Sequence, residues 1–191
     1  MSAPAAIEDL DVQQRARRGR IVAAALDLML EREHDDIQMR DVTAAAGVAL
    51  GTVYRYFRSK EHLFAEALLN WSQRFPSAAT VSLEGPSVAR LKTAYRRAAR
   101  AFERYPPVYG HFLAIQAATD PAAVEIYERF AISQSDAFRG FLPRVPSPRR
   151  EQVIDVMSAV LDTNLREWKR GRRSIDEVYE ALDVAADLLL A

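Results

Sequence analysis

The chain has 191 residues, 26 Lys+Arg against 26 Asp+Glu, no Cys, seven Gly and nine Pro, with 49% of positions hydrophobic. This is the composition of an ordinary folded protein, either one large domain or a medium domain with a small appendage. The lack of cysteine excludes a disulfide framework, thiolate zinc sites, iron–sulfur clusters and cysteine nucleophiles, and zero net charge gives no bulk attraction to nucleic acid or membrane.

The opening residues carry acids where a signal peptide needs bases, and no apolar run approaches the roughly 20 residues of a membrane span. A cytoplasmic protein with no membrane partner is expected. Apolar spacing is helical almost throughout, without sustained alternation, so the fold class is all-α. The first helix is predicted over about Val12 to Glu33, with Ile21, Ala24, Ala25, Leu28 and Met29 on one face. His34-Asp35-Asp36 breaks it. A short helix follows from Met39 to Ala46, stopped by Gly47, which can take the left-handed conformation at a helix end. Another covers Leu50 to Phe57, and a third runs from Lys60 to about Arg74.

Ser77 to Pro86 is rich in Ser, Ala, Thr, Gly and Pro and reads as a linker. Beyond it, helices are predicted at about Ser87 to Tyr105, Val108 to Thr119, Pro121 to Leu142, Pro148 to Arg170 and Ser174 to Leu190, with proline at most joints. Ser174 with Glu177 fits a capping box for the last helix.

The stretch Gln38 to Phe64 carries the functional signal. Two short helices around a glycine turn, both anchored on a longer helix, form the helix-turn-helix pattern. Val42, Ala45, Ala46, Val48, Val53 and Phe57 are spaced to bury one side of the pair. Left outward are Arg40, Thr52, Tyr54, Arg55, Tyr56 and Lys60, whose cations, hydroxyls and planar rings suit phosphates and base edges. Gly51 has no side chain to hold the backbone away from DNA. Residues 1–76 carry ten bases and eleven acids. Glu31, Glu33, Asp35 and Asp36 cluster at the far end of the first helix, leaving Arg17, Arg18, Arg40, Arg55, Arg58 and Lys60 to form a basic face.

Gly51-Thr52-Val53-Tyr54-Arg55-Tyr56-Phe57 followed by Ser59-Lys60-Glu61-His62-Leu63 resembles the recognition helix and the start of the fourth helix of the tetracycline-repressor (TetR) family of transcriptional regulators. The resemblance spans about residues 17–68. It implies base or nearby phosphate contacts for Arg40 and Thr52, phosphate contacts for Tyr54, Tyr56 and Lys60, close approach at Gly51, and a variable contact for Arg55. Ala49 stands where many members have a hydroxyl cap, a loss that typically costs about 1 kcal/mol. Gln38-Met39-Arg40, Val48 to Thr52 and Asn164-Leu165 with Trp168 look similar to the family's repressors of cholesterol and steroid catabolism.

The resemblance further implies that residues 1–76 are the DNA-binding domain with its connecting fourth helix, and that 77–191 bind a small effector and form a homodimer. A mainly apolar effector is expected from the aromatic residues after position 70, with Trp71, Phe75, Tyr95, Phe102, Tyr109, Phe112, Tyr127 and Phe130 as wall and Gln116 as a polar group. Two apolar stripes, Val153, Met157, Leu161, Leu165, Trp168 and Tyr179, Leu182, Ala186, are the candidate dimer contact. Two heads would then meet a near-palindromic double-stranded DNA operator with half-sites roughly 34 Å apart.

Other chemistry is thin. Glu33-His34-Asp35-Asp36 resembles a metal site only superficially, because the histidines lie far apart in sequence, and no nucleophile elbow or glycine-rich phosphate loop occurs. No metal, cofactor or enzymatic activity is expected. The alternative reading is a helical ligand-binding or scaffolding protein without sequence-specific DNA binding.

Overall fold

The computed structural model describes residues 11–74 and 85–190, which are helical with no strand among them. Phe75 and most of the predicted linker lie outside the described residues. The helices are α1 (Val12–Glu31), α2 (Met39–Ala46), α3 (Leu50–Tyr56), α4 (Lys60–Ser72), α5 (Ser87–Arg104), α6 (Pro106–Gln116), α7 (Pro121–Phe141), α8 (Arg149–Lys169) and α9 (Ile175–Leu190). Among the described residues no helix is long and apolar enough to cross a membrane. The chain forms two compact units: the described part of Met1–Arg74 with Gly110–Phe130, and the described part of Phe75–Tyr109 with Ala131–Ala191. Residues 110–130, which the sequence reading placed after the boundary, therefore group with the first unit.

In the first unit, side chains cap the starts of α1, α2 and α4. Asp11 accepts from the Gln14 N–H at 2.8 Å while Gln14 Oε1 accepts from the Asp11 N–H, a reciprocal cap for α1. Asp41 accepts from the Gln38 N–H at 2.7 Å at the start of α2. Ser59 Oγ accepts from the His62 N–H at 3.0 Å at the start of α4. Gly47 ends α2 at φ 64°, ψ 42°, and the Val48 N–H then reaches the Thr43 carbonyl at 3.1 Å. His34–Asp36 is a single 3-10 turn rather than a plain break. Ile21, Ala25, Met29, Val42, Val53, Phe57, Phe64 and Leu68 are buried. α1 packs on α2, α3 and α4 through this set. The expectation for the end of α2 needs correcting: Ala45 is exposed, and Ala46 and Val48 are half-buried. Two turns of helix bury Val42 alone, and the last turn stays open beside Gly47.

In the second unit, α5 packs on α8 and α9, and α8 on α9. Leu91, Tyr95, Phe102, Val153, Met157, Leu165, Val178, Leu182 and Ala186 make its core. The Tyr95 hydroxyl donates to the Ile154 carbonyl at 3.0 Å, and the Tyr109 hydroxyl to the Asp162 carbonyl at 2.9 Å. Burial raises both phenols above the usual tyrosine range. Arg96 grips Asp183 through two hydrogen bonds of 2.9 and 2.7 Å. α6 starts at Pro106, two residues earlier than the spacing suggests, because prolines are tolerated in a first helical turn, where amides lack intrahelical partners.

Candidate nucleic-acid interface

α2, the Gly47 turn and α3 place one side of the recognition segment on the core and the other in solvent. Val53 and Phe57 are fully buried, whereas Arg40, Gly51, Tyr54, Arg55 and Arg58 are exposed and Thr52 is half-buried. A Cβ built on Gly51 meets nothing within 4 Å, so the chain's own packing does not require glycine there. Ala49 begins α3 with extended backbone and no side-chain cap.

Three of the expected outward or free cationic groups behave differently. The Tyr56 ring is 3% exposed, packed near Phe57, and its hydroxyl accepts from Arg55 Nη2 at 3.2 Å. A tyrosine has a large apolar body and one polar tip, and here the body fills the core while the tip reaches the edge. Lys60 is half-buried, and its ammonium donates to the His34 carbonyl. Burial lowers its pKa against the opposing pull of Glu61, Asp35 and Asp41. Arg18 lies 2.5 Å from Glu66 and 4.9 Å above the Phe57 ring. Lys60 and Arg18 are engaged within the unit, whereas the exposed cations of the helix-turn-helix are Arg40, Arg55 and Arg58, with Arg55 beside Tyr56.

Behind this face lies a histidine arrangement that sequence distance conceals. His34 Nδ1 is 3.1 Å from His111 Nδ1, and His111 stacks on Phe64 with ring centres 4.8 Å apart. His34 Nε2 is 3.9 Å from Glu61. Among the described residues no group of three or more His, Cys, Asp or Glu is arranged to hold a metal.

Residues 21–67 match the family model described as bacterial regulatory proteins, tetR family. The chain is 31% identical over 178 residues to the HTH-type transcriptional repressor KstR of Rhodococcus jostii, covering 93% of this chain and 84% of that one. It is 32% identical over 180 residues to KstR of Mycolicibacterium smegmatis, covering 93% and 88%. The chain belongs to the tetR family of bacterial regulatory proteins. A TetR transcriptional regulator from Rhodococcus sp. RHA1 of known crystal structure superposes with a TM-score of 0.73 at 27% identity, covering 94% of this chain and 98% of that chain. This tetR-family chain is accordingly a DNA-binding transcriptional regulator and not an enzyme.

The other expected site residues of this tetR-family chain fall as follows. Trp71, Phe112, Gln116, Tyr127 and Phe130 belong to the first unit, where the Phe112, Tyr127 and Phe130 rings lie within 6.0 Å of one another and Gln116 donates to the Tyr127 hydroxyl at 3.0 Å. Tyr95, Phe102 and Tyr109 belong to the second, where Tyr95 stacks on Phe138 and Phe102 meets Tyr109 edge-on. A groove of about 410 Å³ in the second unit is lined by Pro86, Val88, Arg144, Val145, Arg149 and Leu190, and none of the expected aromatic residues lines it.

Of the stripe residues on α8 and α9, Val153, Met157, Leu165, Leu182 and Ala186 are buried within this chain, and Leu161, Trp168 and Tyr179 are half-buried. The large apolar side chains of α8 and α9 left in solvent are Val156 (45% exposed), Val184 (52%) and Leu188 (79%). Apolar periodicity picks out the fuller face of each helix, which is the one packed in the chain's own core, and not these exposed positions.

Proposed function

We propose that this chain is a ligand-responsive repressor that binds a near-palindromic operator as a homodimer, with the DNA-binding head in residues 1–76 and effector binding and dimerisation in 77–191. The carrying observation is the exposure of Arg40, Gly51, Tyr54, Arg55 and Arg58 on a helix-turn-helix held to the core by the buried Val42, Val53 and Phe57. Arginine at a recognition surface suits guanine O6 and N7 or phosphate oxygens, and a bare glycine lets the backbone come close. Thr52, Tyr56 and Lys60 contribute less freely, through a half-exposed hydroxyl, a phenol tip and a tethered ammonium.

Dimerisation is assigned to the exposed apolar side of α8 and α9 at Val156, Val184 and Leu188. Large aliphatic side chains at this exposure are stabilised by a matching copy across a two-fold axis. The ring cluster of Phe112, Tyr127 and Phe130, with Gln116 as a polar group, supports a mainly apolar effector. Effector binding changes operator affinity only to the extent that it favours the DNA-free conformation.

The test is selection of bound duplexes from a random DNA pool at near-physiological salt, using protein shown by circular dichroism to be folded. A two-fold-symmetric consensus is the expected result. Absence of any enriched sequence, with and without apolar candidate effectors, would overturn the reading in favour of a helical ligand-binding protein.

A further inference from the structure

We propose that Leu50 reads a thymine in the operator through the 5-methyl group of that base. The inference rests on the DNA-binding reading above and adds a base-specific contact by a residue that the polar pattern of the motif does not reveal. Leu50 is 45% exposed although α3 buries Val53 completely and Phe57 just after the helix is also fully buried. Tyr54, one turn further on, is 41% exposed, and the neighbouring Gly51 adds no side chain to the surface. Leu50 and Tyr54 thus make an exposed, largely apolar side of α3, and Arg40, Arg55 and Arg58 of the same helix-turn-helix are exposed as well.

The chemistry of the surroundings selects the occupant. These guanidiniums complement phosphates, which places a duplex rather than an apolar protein over this side of α3. A leucine can neither donate nor accept a hydrogen bond, so it gains nothing from a phosphate or from the polar edge of guanine, adenine or cytosine. The feature of the major groove that matches it is the thymine methyl, which loses water when the side chain covers it. Gly51 keeps the neighbouring backbone clear, so that the leucine can come into contact without a competing side chain.

Replacing thymine by deoxyuridine removes that methyl and leaves every hydrogen-bonding edge in place. The experiment measures binding of the full chain to its selected operator, with each thymine replaced in turn, for the unchanged protein and for Leu50→Ala. One substitution per half-site is expected to weaken the unchanged protein about fourfold, and Leu50→Ala is expected to lose that sensitivity while keeping its salt dependence. Leu50→Arg, read by selection from a random pool, should move the preferred base at the same position from thymine towards guanine. If an operator is selected but deoxyuridine has no effect at any position, or Leu50→Ala keeps the same sensitivity, the role of Leu50 is wrong and the DNA-binding reading stands. If no operator is selected at all, both fall together.

Discussion

His34 and His111 meet Nδ1 to Nδ1 at 3.1 Å, and the second ring nitrogen of His111 lies 2.9 Å from the Arg32 carbonyl. A carbonyl can only accept, so His111 keeps its proton on Nε2 and its Nδ1 accepts from the Nδ1–H of His34. The pair holds together with both rings neutral. A proton added to both rings would set two N–H groups against each other.

Acid should therefore destabilise the fold. Burial lowers the pKa of His34 below the usual 6.5, with Lys60 adding to it and Glu61 and Asp35 opposing. Burial also lowers His62, with Glu66 and Asp120 opposing and Arg18 and Arg58 adding. The unfolded chain takes up protons at higher pH than the folded one, so stability is full above about pH 6.5 and falls as the pH drops below it. Urea unfolding between pH 8 and pH 5 should show that fall, and His34→Gln with His62→Gln should flatten it. An unchanged slope in the double variant would assign the acid sensitivity elsewhere.

Arg18 and Arg58 should separate stability from DNA affinity. Arg18 holds the half-buried Glu66 and covers Phe57, so Arg18→Ala should cost about 2 kcal/mol in urea unfolding by stranding a carboxylate. Arg58 is exposed, and Arg58→Ala should leave the unfolding midpoint in place while reducing the salt slope of DNA binding by about 1. The opposite pattern would exchange their roles.

Arg40→Ala should relax base preference at one operator position by about 1–3 kcal/mol if the guanidinium reads guanine. Repeating the duplex selection with the variant shows this directly. An identical consensus would leave Arg40 a phosphate contact.

On α8 and α9, the exposed and buried apolar faces predict different defects. Val184→Asp with Leu188→Asp should sediment as a monomer at concentrations where the unchanged chain is dimeric. Leu182→Ala, at a fully buried position, should lose about 2–5 kcal/mol of stability and still associate. A dimer that survives both aspartates would place the interface on another surface.

The start of α3 is under-capped. Ala49 already has the extended backbone of a capping position, φ −72° and ψ 150°, without a side-chain acceptor. Ala49→Ser should raise stability by about 1 kcal/mol, seen as a higher urea midpoint.

Local rules carried most of the fold. Gly47 was readable as a left-handed stop, and Ser174 with Glu177 as a reciprocal cap, because both depend on residues within one turn; the Glu177 carboxylate accepts from the Ser174 N–H at 2.7 Å. Partners across long sequence gaps were not readable. His34 and His111 are 77 positions apart, and nothing at either position announces the other. Tyr56, Lys60 and Arg18 lie deeper than residue type suggests: each combines a long apolar or flexible body with a polar tip, and packing decides which part meets water. Leu50 belongs to neither the buried nor the outward residues that the spacing predicts, and only its 45% exposure in the fold sets it apart.

The cap of α4 makes a demand that ordinary helix-start preferences do not express. Ser59 Oγ accepts from the His62 N–H and gives its own proton to Asp120 just before α7. Burial would raise the Asp120 pKa, but the Ser59 hydroxyl and the Ala122 N–H outweigh it, and the acid is held below its usual range. An aspartate at 59, as good a helix start by general preference, would turn two carboxylates towards each other and force one to take up a proton. Position 59 thus requires a proton to give as well as a lone pair to receive with, and one hydroxyl ties the beginnings of two helices to a single atom.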